Sequence, residues 1–209
     1  MTSSVDDALA GLAAAGLDIA HRFDAKAVAA RLDLPWLAGA PVGILIGNTR
    51  ALWPALRAAR LTDGDLRASD HPVERYVESC VARAFASAPH RFSHRRYDGA
   101  FLPFQRVAVA AGLGSLSPGG LVVHPTYGPW FALRAIVLTD GAPPPLQVAP
   151  VACRCGDACT VALAKAQAAG GWRDWLAVRD ACSVGRGWRY SDGQVRYHYT
   201  GDRRALDSE

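Results

Sequence analysis

The segment Leu121–Thr139 places the tightest constraint on how this chain can fold. It holds two apolar runs, Leu121–Val123 and Phe131–Leu138, separated by His124-Pro-Thr-Tyr-Gly-Pro-Trp130. Proline and glycine make the interval a turn, so the segment reads as strand, loop, strand in the manner of a tight hairpin. A third apolar run, Val42–Ile46, lies between Pro41 and Asn48 and reads as a buried strand. None of these runs is long enough to cross a bilayer, and Arg134 interrupts Ala132–Leu138.

Helical patterns surround these strands. Val5–Leu17 has Asp6 and Asp7 in its first turn, and Asp24 caps a short helix ending at Leu32. Asp18–Phe23 alternates as a strand. Thr49–Arg60 is helical provided that Pro54 falls in the first turn. Pro72–Ala88 is the clearest amphipathic helix, with Val73, Tyr76, Val77, Cys80, Val81 and Ala84 on one face. Asp63-Gly64-Asp65 reads as a turn, Arg91–Tyr97 as a strand, and Pro103–Ala111 as either strand or helix. Cys159–Ala169 is a helix stopped by Gly170-Gly171. Helices mixed with strands in this order imply an α+β fold. One domain over residues 1–200 accommodates them, followed by a polar tail, 201–209, that frays.

Composition narrows the functional classes. Of 209 residues, 50% are hydrophobic and 20% charged, which excludes wholesale disorder. The net charge is +4, and only Lys26 and Lys165 are lysines, so the basic groups are almost all arginines, suited to phosphate and carboxylate. No dense basic stripe or nucleic-acid motif accompanies them, so nucleic acid is not an expected partner. The N-terminus lacks the basic flank of a signal peptide, no membrane span is expected, and the expected location is cytoplasmic. Five cysteines, an odd number, argue against a disulfide scaffold. Cys153, Cys155, Cys159 and Cys182 could hold zinc or a single degenerate iron–sulfur cluster; the alternative is reduced thiols. Cys80 reads as core.

Two constellations could carry chemistry. The first is Ala111-Gly-Leu-Gly-Ser-Leu-Ser-Pro-Gly-Gly120 followed by His124-Pro-Thr-Tyr-Gly128 and Trp130-Phe131. Its glycines let backbone approach a large ligand, and Pro125 fixes the presentation of His124. A tight turn around an ordinary, hydrogen-bonded histidine accounts for the same residues. The second is Trp172-Arg-Asp-Trp175, Arg179-Asp180 and the aromatics Trp188, Tyr190, Tyr197 and Tyr199. It can line an apolar pocket holding a guanidinium, or simply pack as a helix with surface ion pairs. His21, His71, His90, His94 and His198 read as structural or exposed.

Four stretches together resemble the CblC-type cobalamin-processing proteins, the cyanocobalamin decyanases and alkylcobalamin dealkylases. They are Val42-Gly-Ile-Leu-Ile-Gly-Asn-Thr-Arg-Ala-Leu-Trp53, Asp70-His-Pro-Val-Glu-Arg-Tyr-Val77, His124-Pro-Thr-Tyr-Gly-Pro-Trp-Phe-Ala-Leu-Arg134, and Trp172-Arg-Asp-Trp175 with Arg179-Asp-Ala181. The resemblance implies a nitroreductase-like scaffold with an antiparallel sheet flanked by helices. It implies cobalamin (vitamin B12) bound base-off and reductive removal of the upper axial ligand, by decyanation with reduced flavin (FMN or FAD) or by dealkylation with glutathione or another thiol. A downstream B12 enzyme or a flavin reductase would be the protein partner. By matching motif positions, Phe104, Gln105, Arg106, Ser117, Gly119, Gly120, His124, Tyr127, Gly128, Trp130, Phe131, Ala132, Leu133 and Trp172 bind the corrinoid, and Arg173 binds a co-substrate. Thr126, Tyr127 and Pro129 depart from the eukaryotic motif.

Ala110-Ala-Gly-Leu-Gly114, with Gly120, Pro125, Tyr127-Gly128 and Leu138-Thr-Asp140, is also similar to epoxyqueuosine reductase, an iron–sulfur and cobalamin enzyme. Its Cys-x2-Cys-x2-Cys-x3-Cys runs are absent here. The resemblances leave three other readings open: a non-enzymatic cobalamin carrier, an iron–sulfur relative of that reductase, and a flavin nitroreductase.

Overall fold

A computed structural model describes residues 4–145 and 155–207. Helix α1 (Val5–Ala14) starts in a capping box, with the Ser4 hydroxyl accepting from the Asp7 amide while the Asp7 carboxylate accepts from the Ser4 amide. Strand β1 (Ile19–Asp24) runs into α2 (Ala25–Leu32), whose first turn is capped by the Asp24 carboxylate. Strand β2 (Val42–Asn48) follows, and then α3 (Leu52–Thr62), which holds Pro54 in its first turn. Residues 63–65 do more than turn. Asp63 accepts from the Leu66 amide and caps a short helix, α4 (Gly64–Ala68). Helix α5 (Pro72–Ala84) ends four residues before Ala88, ahead of Pro89, and buries Val73, Tyr76, Val77, Cys80 and Val81.

The expected strand over 91–97 is broken. Strand β3 (His90–Phe92) leaves the sheet at Ser93, and a separate hairpin forms from β4 (Arg96–Tyr97) and β5 (Ala100–Phe101) around Asp98-Gly99, both with positive φ. The ambiguous segment 103–111 is a helix, α6 (Phe104–Ala110). Strands β6 (Ser115–Leu116) and β7 (Val122–Val123) pair with each other. Thus the two apolar runs flanking His124 do not form a hairpin together. The second run, β8 (Ala132–Thr139), pairs instead with β2 and β3. Helices α7 (Ala158–Ala169) and α8 (Trp172–Asp180) are joined through Gly170, and α9 (Asp192–Thr200) follows. The segment expected to fray is packed: Ala205 and Leu206 are buried, Arg57 Nε donates to the Leu206 carbonyl at 3.0 Å, and Arg60 pairs with Asp207 at 2.8 Å.

The main sheet has the antiparallel order β1-β2-β8-β3. All seven residues of β2 are buried because helices cover both faces. On one face, Val42, Ile44, Ile46, Ala135 and Val137 meet α1, α3 and α5. On the other, Leu45, Ile136, Leu138, Ile19 and Phe23 meet α2 and α6. A third, aromatic cluster joins Trp130, Tyr190 and Val195 to Trp172, Leu176, Trp188 and Tyr199. No helix of the described residues is long and apolar enough to cross a membrane.

Gly43 lies directly under the Phe23 ring, in space that a Cβ would need. Gly43→Ala therefore forces a packed ring aside and should destabilise the protein by about 1–3 kcal/mol, measurable by denaturant unfolding.

Candidate functional site

One irregularity in the sheet shapes the site. Ile46 pairs with Ala135 and Gly47 with Leu133, so Arg134 is an extra residue opposite the Ile46–Gly47 step. This β-bulge reverses the alternation of β8. Beyond it, Phe131 and Leu133 join the face of Ile136 and Leu138. Ala132 and Arg134 turn instead to the wall of a cavity of about 650 Å³.

That cavity lies between the end of β8, the Gly119-Gly120-Leu121 loop and helices α7, α8 and α9. Helix α8 contributes Trp175, Val178 and Arg179, an i, i+3, i+4 face. Helix α9 contributes His198 and Tyr199, and Tyr190 comes from the loop before it. A second cavity of about 260 Å³ adjoins, lined by Phe104, Gln105, Leu121, Val122, Pro129, Phe131, Ala132, Leu133 and Arg179. Leu121, Ala132 and Arg179 form the wall common to both.

The residues expected to bind ligand divide into wall and frame. Phe104, Gln105, Gly119, Gly120, Phe131, Ala132 and Leu133 line the two cavities. Arg106 lines a different recess beside Arg31, and Ser117 lines a narrow apolar crevice. Trp130 is buried at 1% exposure, with its ring 5.6 Å from that of Tyr190. Trp172 and Arg173 line a separate, more open cleft of about 830 Å³ with Asp192 and Asp202 rather than the cavity beside the bulge. Helical phase is the reason: positions 172, 173 and 176 face one way on α8, and 175, 178 and 179 another.

His124 holds its own turn. Its Nδ1 accepts from the Thr126 amide at 3.1 Å and the Tyr127 amide at 3.3 Å, and its ring stacks on Tyr127 at 4.4 Å. Burial, and then the nearby His21, lower its pKa to about 4. It is therefore a neutral ring carrying its proton on Nε2. Gly128 closes this turn with a positive φ of 59° and sits tightly against the Val184 carbonyl.

Arg134 is half-buried as a residue. Its Nε donates to Asn48 Oδ1 at 2.6 Å, but its Nη2 is buried with no hydrogen-bond partner. Asn48 donates to the Thr49 carbonyl, and Thr49 donates through its amide and hydroxyl to Asp18. Burial lowers the Arg134 pKa. His198 was expected to be structural or exposed, yet it lines the main cavity. Burial, followed by the charges of Arg134 and Arg179, lowers its pKa to about 3. His21, His90 and His94 are structural: the first two lie within hydrogen-bond distance of backbone carbonyls, and His94 lies 2.7 Å from Glu78.

Trp175, Arg179, Tyr190 and Tyr199 come from the second constellation, which the sequence offered either as a pocket wall holding a guanidinium or as plain helix packing; here they line the cavity, and His198 joins them unannounced. The α8 spacing of Trp175 and Arg179 was the available signal. His198 offered none, because its role comes from the packing of α9 against the bulge.

Cys153 lies outside the described residues. Cys155, Cys159 and Cys182 line the crevice beside Ser117. Among the described residues no three His, Cys, Asp or Glu side chains are arranged to hold a metal ion.

No family model matches the chain, and no curated protein matches it by sequence. Among solved structures, it is similar to the C. elegans B12-trafficking protein CblC, described as a homologue of human MMACHC. The TM-score is 0.62 at 17% identity, over 90% of this chain and 88% of that one. A selenomethionine-labelled epoxyqueuosine reductase aligns with a TM-score of 0.49 at 13% identity, over 89% of this chain and 66% of that one. The fold is nitroreductase-like α+β.

Two measurements follow from the histidines. His124→Ala leaves the Thr126 and Tyr127 amides unpaired and should cost about 1–2 kcal/mol in denaturant unfolding while retaining the fold. His198 takes up a proton on unfolding at any pH between its unfolded value near 6.5 and its folded value of about 3. Stability should therefore be full above pH 6.5 and fall as pH drops through that window, by up to ~1.4 kcal/mol per pH unit. His124 acts in the same direction, reduced by solvent screening. Stability measured between pH 6.5 and 5 should show a shallower slope in His198→Gln.

Proposed function

We propose that this protein binds cobalamin and processes its upper axial ligand. The observation that carries the reading is the pair of adjoining cavities, about 650 and 260 Å³, divided only by Leu121, Ala132 and Arg179. A corrin is a broad, mostly apolar disc rimmed by amides, and it suits a wide cleft with aromatic walls and close backbone. Trp175, Tyr190, Tyr199, Phe104 and Phe131 supply such walls, and Gly119-Gly120 supplies backbone without side chains. The fold likeness to a B12-trafficking protein supports the same ligand.

When bound, cobalamin supplies the electron chemistry at cobalt. Reduced flavin is the proposed electron source, and cyanide or another upper ligand is the group released. The chain's own residues select and shield. The apolar walls exclude water from one face of the ligand, and Ala132, small and at the shared wall, leaves room across both cavities. The base-off state, with the benzimidazole arm withdrawn from cobalt, is part of this proposal. His124 has its Nδ1 committed to the turn, so its part is to position the strand that follows. A thiol co-substrate such as glutathione and handover to a downstream B12 enzyme are further partners consistent with this role.

Titration with cyanocobalamin, followed by visible absorbance, should show a saturable spectral shift. Ala132→Trp should fill the shared wall and weaken binding by at least about tenfold, some 1.4 kcal/mol. With reduced flavin present, cyanide release should follow. An unchanged spectrum and no co-migration on size exclusion would overturn the reading. A shift without release would confine the protein to holding the cofactor.

A further inference from the structure

We infer that Cys155 and Cys182 form a thiol–disulfide exchange site whose substrate is a small organic disulfide. Cys155 stands half-buried ahead of α7, and Cys182, buried at 8% exposure, stands just beyond α8. The Ser183 amide donates to Cys155 Sγ at 3.3 Å, and the Ser183 hydroxyl lies 3.5 Å from the same sulfur. That amide belongs to the peptide bond leaving Cys182, so the Cys155 sulfur rests against the backbone of the second thiol. The Cys182 segment is held in place. Its amide donates to the Arg179 carbonyl at 3.1 Å, and two residues on the Val184 carbonyl is pressed against Gly128. Cys159 is placed otherwise, with its Cβ 3.3 Å from where a Cβ on Gly119 would stand.

The three cysteines share a crevice whose other walls, among them Leu121, Val123, Val178 and Val184, are apolar. At about 30 Å³ it has room for little more than a water molecule. It cannot enclose an organic ligand, so the chemistry it offers is between the sulfurs themselves. Exposure divides their roles: a disulfide from solution can reach Cys155, and Cys182 is shielded behind it. A thiol attacks as its thiolate, and an amide donating to Cys155 Sγ supports negative charge there.

The exchange balances without further reagents. The Cys155 thiolate attacks one sulfur of the small disulfide, whose S–S bond breaks, and the departing thiolate takes the electron pair and then a proton. The Cys182 thiolate next attacks Cys155 Sγ in the mixed disulfide and releases the second small thiol. Two electrons have passed from the protein dithiol to the small disulfide, and Cys155 and Cys182 are joined. Leu121 and Val178 line both this crevice and the 650 Å³ cavity, so the new bond stands one layer of side chains from that space.

The probe is bis(2-hydroxyethyl) disulfide, added without oxygen to the full chain after reduction. Thiols titrated in denaturant should fall from five to three. The mass should drop by two hydrogens with no adduct, and peptide mapping should join Cys155 to Cys182. Cys182→Ser should stop at a stable adduct on Cys155. Cys155→Ser should slow the loss of thiols at least about tenfold and form no internal disulfide. Should the buried Cys182→Ser fail to fold, Cys155→Ser, at a half-exposed position, still decides the matter. A bond to Cys153 or Cys159 in place of Cys182, a stable adduct on the unsubstituted chain, or an unchanged rate in Cys155→Ser would overturn the site. The reaction is read without any corrinoid, so its outcome is independent of the cyanocobalamin titration.

Discussion

Arg134 has no pairing partner on β2, and much of the site's geometry follows from that. A regular β8 would continue its alternation from Leu138 and Ile136 to Arg134, burying a guanidinium among Leu45, Ile19 and Phe23. The bulge opposite Ile46–Gly47 removes that conflict by one residue of slippage. It sends Phe131 and Leu133 into the apolar face in place of the charge, and it leaves Ala132 and Arg134 facing the cavity. The neighbouring strand accepts the step because Gly47 places no side chain where the Ala132 carbonyl lies, 2.6 Å from an ideal Cβ.

The bulged arginine is then held by a polar chain at the end of the most buried strand. Asn48, fully buried, accepts from Arg134 and donates to the Thr49 carbonyl, and Thr49 is anchored twice on Asp18. Each buried polar group on this path has a partner, up to the arginine's own Nη2. The satisfied links give the guanidinium a fixed position at the cavity wall. Arg179 reaches the same space from α8, a separate element, so the positive character of the cavity depends on how α8 packs against the sheet. The aromatic cluster of Trp130, Tyr190, Val195, Trp172 and Leu176 sets that packing.

The elements were largely legible in the sequence, and their partners were not. The runs at 42–46 and 131–138 are strands because nothing else so short and apolar is stable in a small core, and Pro72 and Asp24 marked helix starts by capping chemistry that is local. The pairing of β7 with β6 rather than β8 was hidden, because a two-residue strand has no periodicity to read. The break at Ser93 was similarly obscure, although Asp98-Gly99 was a hairpin signal. In the site, Phe104, Gly119, Gly120, Phe131 and Ala132 were reached through motif positions. His198, whose environment is made by residues 64 and 19 positions away, was not.

The contrast between wall and frame bears on how such motifs should be read. His124, Trp130 and Trp172 are the most conspicuous residues of their segments, yet each spends its polar or aromatic surface on the protein itself. His124 engages two amides of its own turn, Trp130 packs on Tyr190, and Trp172 lies near Tyr199. Large rigid side chains hold loops and helices in place with little loss of rotamer freedom, and that fixes where the smaller residues leave space. The cavity's width at its centre is set by what is missing: side chains at Gly119 and Gly120, and bulk at Ala132. A ligand as broad as a corrin would be recognised mainly by that absence of bulk, with the aromatic residues behind the wall keeping the opening from collapsing.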